Sequence, residues 1–396
     1  MTVQVAERSA PVIQVLQGIP VERAVIDPAT FYPATRRRRF LQKSASFAGL
    51  GLTDQFSLFQ DGIIGSIHVR VSGTVTLTPG TATAATTRRW PYDLVKRFRF
   101  SANGQANLIN ASGLKIKALE HMYPDRSDRG IVQAIGGASP GTSRQQGTLS
   151  GSNEVWGFGS GVTGLSGAQP FELNYVLPVA MDLELLTGAI FAQTQSTDLV
   201  LAIDWANSAD LFTLTGTATA AVTAAIEATG KIYSIPIVEG RQVLPDLTQF
   251  HSVIEGRKTD VAVGDNEVPL PGIGVGRALQ RAYYQLWNGA TEVPLAMNAT
   301  NFGPQEWKYG GADIPERYPT GATLAHENEQ TFDNDFSTQW GFGIHDFSAK
   351  FALRDAVDEG ATPNLRLNVN VASGVTVVNP KLEYVQETMF LAPVSA

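Results

Sequence analysis

No cysteine occurs in this chain, so disulfides, thiolate metal ligands and thiol nucleophiles are excluded. Stability must come from packing and assembly, and the composition suits a reducing cytosol. Long apolar runs are missing too. No stretch of about eighteen apolar residues occurs, so no membrane-spanning helix is expected. The opening MTVQVAERSAPVIQ lacks a basic stretch followed by an apolar one, so no secretory signal is expected. Histidine is scarce: His68, His121, His251, His326 and His345 include no pair at metal-ligand spacing. Helical periodicity is nearly absent.

What is present is a loop-rich chain of 396 residues with 38 Gly, 21 Pro and 43% hydrophobic residues, long enough for two domains. Its net charge of −7 is uneven: residues 1–50 hold seven basic and three acidic side chains, leaving −11 on the rest. A basic arm on an acidic body implies different surroundings for the two.

Period-two alternation is the main signal, and it marks strands with one face on a core. In IHVRVSGTVTL the apolar row is Ile67, Val69, Val71, Val75 and Leu77, with His68 and Arg70 on the polar row. Phe171, Leu173, Tyr175, Leu177 and Val179 form a second row, and Leu199, Leu201, Ile203 and Trp205 a third. Leu365, Leu367, Val369 and Val371 form a fourth, opposite Arg366, Asn368 and Asn370. One-sided alternation indicates antiparallel sheets. Two helices are predicted: SGLKIKALEHM, with Ser112 as N-cap and Leu114, Ala118 and Met122 on one face, and TGATLAHENEQTF, capped by Thr320. TATAAVTAAIEAT (217–229) fits helix or strand, and its threonines favour strand. Breaker-rich segments at 136–153 and 157–170 read as one large exposed excursion.

The chain also echoes itself. DLVLAIDWA (198–206) matches NLRLNVNVA (364–372) at an offset of 166, and LVKRFRFSANG (94–104) matches LQRAYYQLWNG (279–289) at an offset of 185. The second pair ends in the turn dipeptides Asn103-Gly104 and Asn288-Gly289. Each half then has its helix and finishes in a strand running into proline, KIYSIP and TMFLAP. The organisation expected is an arm at 1–48, a first sandwich at 49–236 with large loops near 130–170, and a second sandwich at 237–396.

The strand pair GIIGSIHVRVSGTVTL and WPYDLVKRFRFSANGQ, leading into ASGLKIKALEHM, resembles the double jelly-roll major capsid proteins of membrane-containing, tailless icosahedral viruses, most closely the tectivirus type. The resemblance covers essentially the whole chain. It implies an all-β fold of two tandem eight-stranded antiparallel jelly rolls with short helices and long loops, preceded by an N-terminal arm. It further implies a structural protein of a bacteriophage-like virion, assembled in the host cytoplasm as homotrimers of pseudo-hexagonal outline. Neighbouring trimers, vertex (penton) and minor capsid proteins, and an internal lipid membrane would be its partners. No cofactor, metal or sequence-specific nucleic acid is implied.

TRRRRF places Arg36, Arg37, Arg38, Arg39 and Phe40 together as the candidate contact of the arm. Anionic headgroups would attract such a run by about 1 kcal/mol per basic residue. Carboxylates of a neighbouring subunit, genome phosphates or plain solvation fit the same charge.

Catalytic patterns fail on inspection. Gly137-Ala138-Ser139-Pro140-Gly141 matches G-x-S-x-G, but Pro140 lacks the N–H that an oxyanion hole needs there. Gly159-Ser160-Gly161-Val162-Thr163-Gly164 matches G-x-G-x-x-G without the strand before it or the helix after it. His345-Asp346 reads as a surface or core histidine, and Asp333-Asn334-Asp335 as a helix end or turn. Asp182-Leu183-Glu184 reads likewise. A trimeric receptor- or carbohydrate-binding spike, with Trp156 and Trp340 stacking on sugars, is the alternative from another class. A β-sandwich glycosidase comes third, lacking a visible carboxylate pair.

Overall fold

The computed structural model describes residues 24–78, 84–87, 90–102, 105–123, 167–183, 185–192, 198–270, 277–289, 293–309, 313–332, 341–347, 357–358 and 365–391. Two antiparallel sandwiches stand side by side, and each has eight principal strands.

In the first, the strands are β2 (Arg37–Ser46), β3 (Thr53–Ser57), β4 (Ile63–Thr78), β5 (Val95–Ala102), β6 (Gln105–Ala111), β7 (Gly167–Pro178), β8 (Leu199–Trp205) and β9 (Thr219–Tyr233). They form one sheet in the order β2-β9-β4-β7 and another in the order β3-β8-β5-β6. In the second, they are β11 (Gln249–Lys258), β12 (Gly264–Pro269), β13 (Arg277–Asn288), β14 (Phe302–Tyr309), β15 (Asp313–Tyr318), β16 (Phe342–Asp346), β17 (Arg366–Val371) and β18 (Lys381–Leu391). Their sheets run β11-β18-β13-β16 and β12-β17-β14-β15. Counted from each sandwich's first strand, both halves read 1-8-3-6 and 2-7-4-5. A helix joins strands five and six in each: α2 (Gly113–Met122) and α3 (Gly321–Phe332).

The repeat is therefore real, and one pairing needs correcting. Residues 198–206 and 364–372 are strand seven of each half, as matched. LVKRFRFSANG is strand four, whereas LQRAYYQLWNG is strand three, β13. The true counterpart of β5 is β14. Both segments are aromatic and basic and end at Asn-Gly, a likeness that does not distinguish strand three from strand four.

The apolar rows read from alternation are all buried: Ile67, Val69, Val71, Val75 and Leu77, then Leu199, Leu201, Ile203 and Trp205, then Leu365, Leu367, Val369 and Val371. The stretch 217–229 is strand, mostly within β9, which pairs with β4 over its whole length. Gly73 of β4 sits where that pairing is closest, since a Cβ there would lie 1.9 Å from the Thr223 carbonyl oxygen. Only glycine fits that approach.

Residues 24–46 fold onto this body. β1 (Ala24–Ile26) pairs in parallel with β10 (Arg241–Leu244) in the connection between the halves. α1 (Pro28–Ala34) starts with Pro28 in its first turn and is capped by Asp27, whose Oδ1 accepts from the Thr30 amide at 3.3 Å. It buries Phe31 among Ile63, Leu186, Phe191, Val243 and Leu244. β2 is strand one of the first sandwich, so that sandwich begins at residue 37, ahead of the expected 49.

Candidate functional site

The two sandwiches meet edge to edge. Strand five of the first half, β6, pairs in parallel with strand one of the second, β11, at Val253↔Ile109 and Ile254↔Asn110. That joins a sheet of each half into one continuous surface.

The outer face of β11-β18-β13-β16 is not exposed, because the first half lies on it. Register places Arg281 beside Glu387 and Asp346, Tyr283 beside Val385 and Ile344, and Gln285 beside Glu383 and Phe342 on this face. Phe250, Val253, Tyr283, Trp287, Phe342, Ile344 and Val385 pack into the core of the first sandwich, not of their own. Their partners on the inner face, Leu279, Ala282, Tyr284 and Leu286, line the second core. β13 is therefore buried on both faces, which is why its sequence shows no alternation.

α2 fills the junction. Gly113 to Glu120 are all buried, including Lys115 and Lys117 with 0% exposure. Such lysines need partners, since an unpaired buried charge costs several kcal/mol. Lys115 Nζ donates to Gln285 Oε1 at 2.7 Å, lies 3.2 Å from Glu383 Oε2, and sits 4.9 Å from the centre of the Phe342 ring. Lys117 Nζ donates to Glu120 Oε2 at 2.6 Å and to the Asn174 carbonyl at 3.0 Å. The Ser112 amide donates to Glu255 Oε2 at 2.6 Å, and Tyr283 donates its hydroxyl to the Lys115 carbonyl at 2.9 Å. Burial, and then the Glu383 charge, push the Glu255 carboxyl up, against the pull of Lys115 and Ser112.

A second knot lies beside it. Glu387 accepts from Arg281 Nη1 at 2.8 Å, from His251 Nε2 at 2.8 Å and from the hydroxyl of Tyr123, the residue after α2. The other ring nitrogen, His251 Nδ1, faces the Pro178 carbonyl oxygen at 2.8 Å. Burial alone would raise the Glu387 carboxyl, but Arg281, His251 and Tyr123 outweigh it and hold it at about 2. This knot ties Pro178 and Tyr123 of the first half to Arg281 and Glu387 of the second.

The corresponding face of the first sandwich is open only in part: Ser66 and His68 of β4 are buried on it, whereas its β2 side is exposed. On β2-β9-β4-β7 the outer row includes Arg37, Arg39 and Leu41, facing Tyr233, Lys231 and Thr229 of β9. Further along, Arg70 holds Glu172 at 3.0 Å and Glu227 at 3.2 Å, while Thr74 bonds Thr223 at 2.8 Å. Arg36 to Arg39 are all exposed, and Leu41 is 52% exposed. Among the described residues none of the four arginines is in an ion pair. β2 is a sheet edge. Because the Phe47 amide donates to the Ala224 carbonyl and Arg36 exchanges bonds with Ser234, alternation turns the backbone polar groups of Arg37, Arg39 and Leu41 outward. A basic edge discourages indiscriminate strand addition.

His68, placed on a polar face by alternation, is 8% exposed and lies 3.2 Å from Ser66 Oγ. His345 is a core histidine that bonds Glu316 Oε1 at 2.7 Å, while Asp346 holds Arg281 at 3.1 Å. Asp182 accepts from the Leu185 amide at 3.1 Å, as a turn residue does. Residues 137–141, 156, 159–164, 333–335 and 340 lie outside the described residues, as does the side chain of Phe40. Among the described residues no group of three or more His, Asp or Glu side chains is placed to hold a metal. Among the described residues no helix is long and apolar enough to cross a membrane.

Two sandwiches with one strand order, a helix at the same place in each and an edge-to-edge junction define the architecture. No family model and no curated protein matches the sequence. Solved structures do. The chain is similar to the major capsid protein of Sulfolobus Turreted Icosahedral Virus, with a TM-score of 0.63 at 15% identity over 90% of this chain and 97% of that one. The fold is a double jelly roll. The capsid of PBCV-1 has the same double jelly roll at a TM-score of 0.54 and 10% identity, covering 91% and 96% of the two chains. The major capsid protein of bacteriophage PM2 follows at 0.50 and 12%, covering 90% and 98%. At these identities the double jelly roll is common to them while the surfaces are this chain's own.

Proposed function

We propose that the chain is a structural shell protein, a major capsid protein that assembles as trimers of pseudo-hexagonal outline in an icosahedral virion. The observation that carries this reading is the junction between the rolls. Lys115, Glu383, Arg281 and Glu387 are buried at it, so the two rolls form one rigid block. Three such blocks supply six rolls, enough to tile a nearly hexagonal lattice with one gene product. The likeness in fold to capsid proteins over their whole length supports it. Neighbouring trimers, vertex proteins and minor capsid proteins are the partners that fit.

For Arg36 to Arg39 the reading is contact with a neighbouring copy. They lie on a sandwich strand beside an open sheet face, where acidic surface of the −11 body can approach. Negative-stain electron microscopy of the purified protein tests the function. Trimers of pseudo-hexagonal outline, sheets or shells are expected; monomers that bind glycan would end the capsid reading. Contact of the same arginines with a lipid surface is tested by liposome co-sedimentation. Binding that vanishes when Arg36 to Arg39 are changed to Ser would favour lipid over a neighbour.

A further inference from the structure

α2 buries two lysines that differ in what lies within reach. Lys117 Nζ meets the Glu120 carboxylate and the main-chain carbonyl of Asn174, an arrangement that only neutralises its charge. Lys115 Nζ meets a side-chain carboxamide. Gln285 Oε1 is 2.7 Å away, so the carbon that carries it lies no farther than about 3.9 Å from the nitrogen. A carboxylate stands at the same nitrogen, with Glu383 Oε2 at 3.2 Å. An amine, an amide and a proton acceptor are the parts that an aminolysis needs.

We infer that Lys115 and Gln285 join as an ε-(γ-glutamyl)lysine cross-link, a covalent bond between the first roll and the second, with Glu383 moving the protons. The structure shows the chain before reaction. Lys115 first passes a proton from its ammonium to Glu383. Its nitrogen lone pair then attacks Gln285 Cδ, and the π pair of the carbonyl moves onto Oε1. As the carbonyl re-forms, the bond from Cδ to Nε2 breaks. Glu383 gives its proton to the departing nitrogen, which leaves as ammonia, and takes the surplus proton from the new amide. The ammonia carries that proton away as ammonium, so Glu383 ends as the carboxylate it began as. One C–N bond forms, one breaks, and nothing is oxidised or reduced.

A carboxamide is a poor electrophile, and what the fold supplies is position. Gln285 lies between Glu383 and Phe342 in the registers of β13 with β18 and β16, so electrophile and base are fixed side by side. The helix above them is held at the same point, since Tyr283 donates its hydroxyl to the Lys115 carbonyl at 2.9 Å. Lys115 and Gln285 are both 0% exposed, and the Phe342 and Trp287 ring centres lie 4.9 and 5.9 Å from Nζ. Burial disfavours charge, and the reaction exchanges a buried ammonium for a neutral amide. The charges left behind still balance. Arg257 Nη2 lies 2.8 Å from Glu383 Oε1, while burial and then the Glu383 charge push the Glu255 carboxyl towards its neutral acid. The bond would tie together positions 170 residues apart, at the junction that makes the two rolls one block. It goes beyond the shell reading and does not depend on it.

The test is the mass of the purified full chain under denaturing conditions, fresh and after prolonged incubation. The wild-type chain is expected to be lighter than its sequence by one ammonia. Succinimides at Asn103-Gly104 or Asn288-Gly289 would lose the same mass, so a tryptic map decides: one branched fragment should join residues 100–117 to residues 282–308. Lys115→Arg, Gln285→Met and Glu383→Gln, each checked for folding by circular dichroism, should yield no branched fragment. A wild-type chain without that fragment would overturn the cross-link, whatever the variants do. Its persistence in folded Glu383→Gln would overturn the assignment of the proton transfers to Glu383.

Discussion

α2 and α3 occupy the same place in two rolls of identical topology, yet one is buried on every described side and the other shows a solvent face. Glu120 and Lys117 of α2 are 2% and 0% exposed, while His326 and Glu327 of α3 lie open. The roll does not cause this, because the rolls share their strand order. Position in the chain does. The first roll has the second beside it, and α2 is roofed by β11, β18 and β13. Among the described residues nothing roofs α3 in the same way. A charged residue on the first helix therefore belongs to a buried network, and one on the second to a surface. The same contrast runs through the two equivalent sheet faces: Arg281 and Glu387 pair at 2.8 Å in full burial in one, and Arg70 and Glu172 pair at 3.0 Å with 44% and 32% of their side chains exposed in the other.

The comparison can be broken most strongly at Lys115. Lys115→Met leaves Glu383 and Glu255 facing each other without its charge in a buried junction. It is expected to cost about 3–5 kcal/mol in urea unfolding, the range for removing one partner of a buried pair. If the loss were under about 1 kcal/mol, the junction would be far wetter than its burial implies.

Acid should act on the same region next. The Glu387 carboxyl is held at about 2 in the folded protein, below its ordinary 4.5. Its contribution is thus complete above about 4.5 and is lost as pH falls from there towards about 2. Thermal melts between pH 6 and pH 2.5 should show the fall, and Glu387→Gln should flatten it while lowering stability at pH 6.

A smaller effect is expected at the cap of the exposed helix. Thr320 Oγ1 accepts from the Thr323 amide at 3.3 Å, so Thr320→Ala should cost about 1 kcal/mol by urea unfolding. The smallest belongs to the open face. Arg70→Ala removes ion pairs whose partners are well exposed, and should change stability by no more than about 1 kcal/mol in the same measurement.

Much of the fold was legible because one-sided sheets write their burial into alternate residues. Leu365, Leu367, Val369 and Val371 could be assigned to a core from spacing alone, and so could the Ile67 row. Thr320 was recognisable as a cap because the helix behind it is amphipathic. Legibility failed wherever a second layer covered the first. RALQRAYYQLWN (277–288) lacks alternation because both its faces are buried, and its composition points to the wrong strand of the other half. His68 lies in the polar row of β4 and is nonetheless covered. The lysines of GLKIKALEHM look like the solvent side of a surface helix, and only the carboxylates of a distant strand, Glu383 among them, make their burial tolerable. KLEYVQETMFL carried a faint signal of this in acidic residues set among apolar ones with no clean polar row.

Arg36 to Arg39 mark the boundary between the two kinds of knowledge. Their charge was visible at once, and so was the asymmetry between the first 50 residues and the rest. That they lie on the edge of a sandwich, beside an open face whose counterpart is the chain's own internal junction, came only from the fold. The sequence by itself determined the class: alternating rows, two cycles of them, no cysteine and few helices. Tertiary structure decided which faces are finished and which await a partner. Periodicity records only the nearest layer, whereas the joining of two rolls depends on residues more than a hundred positions apart.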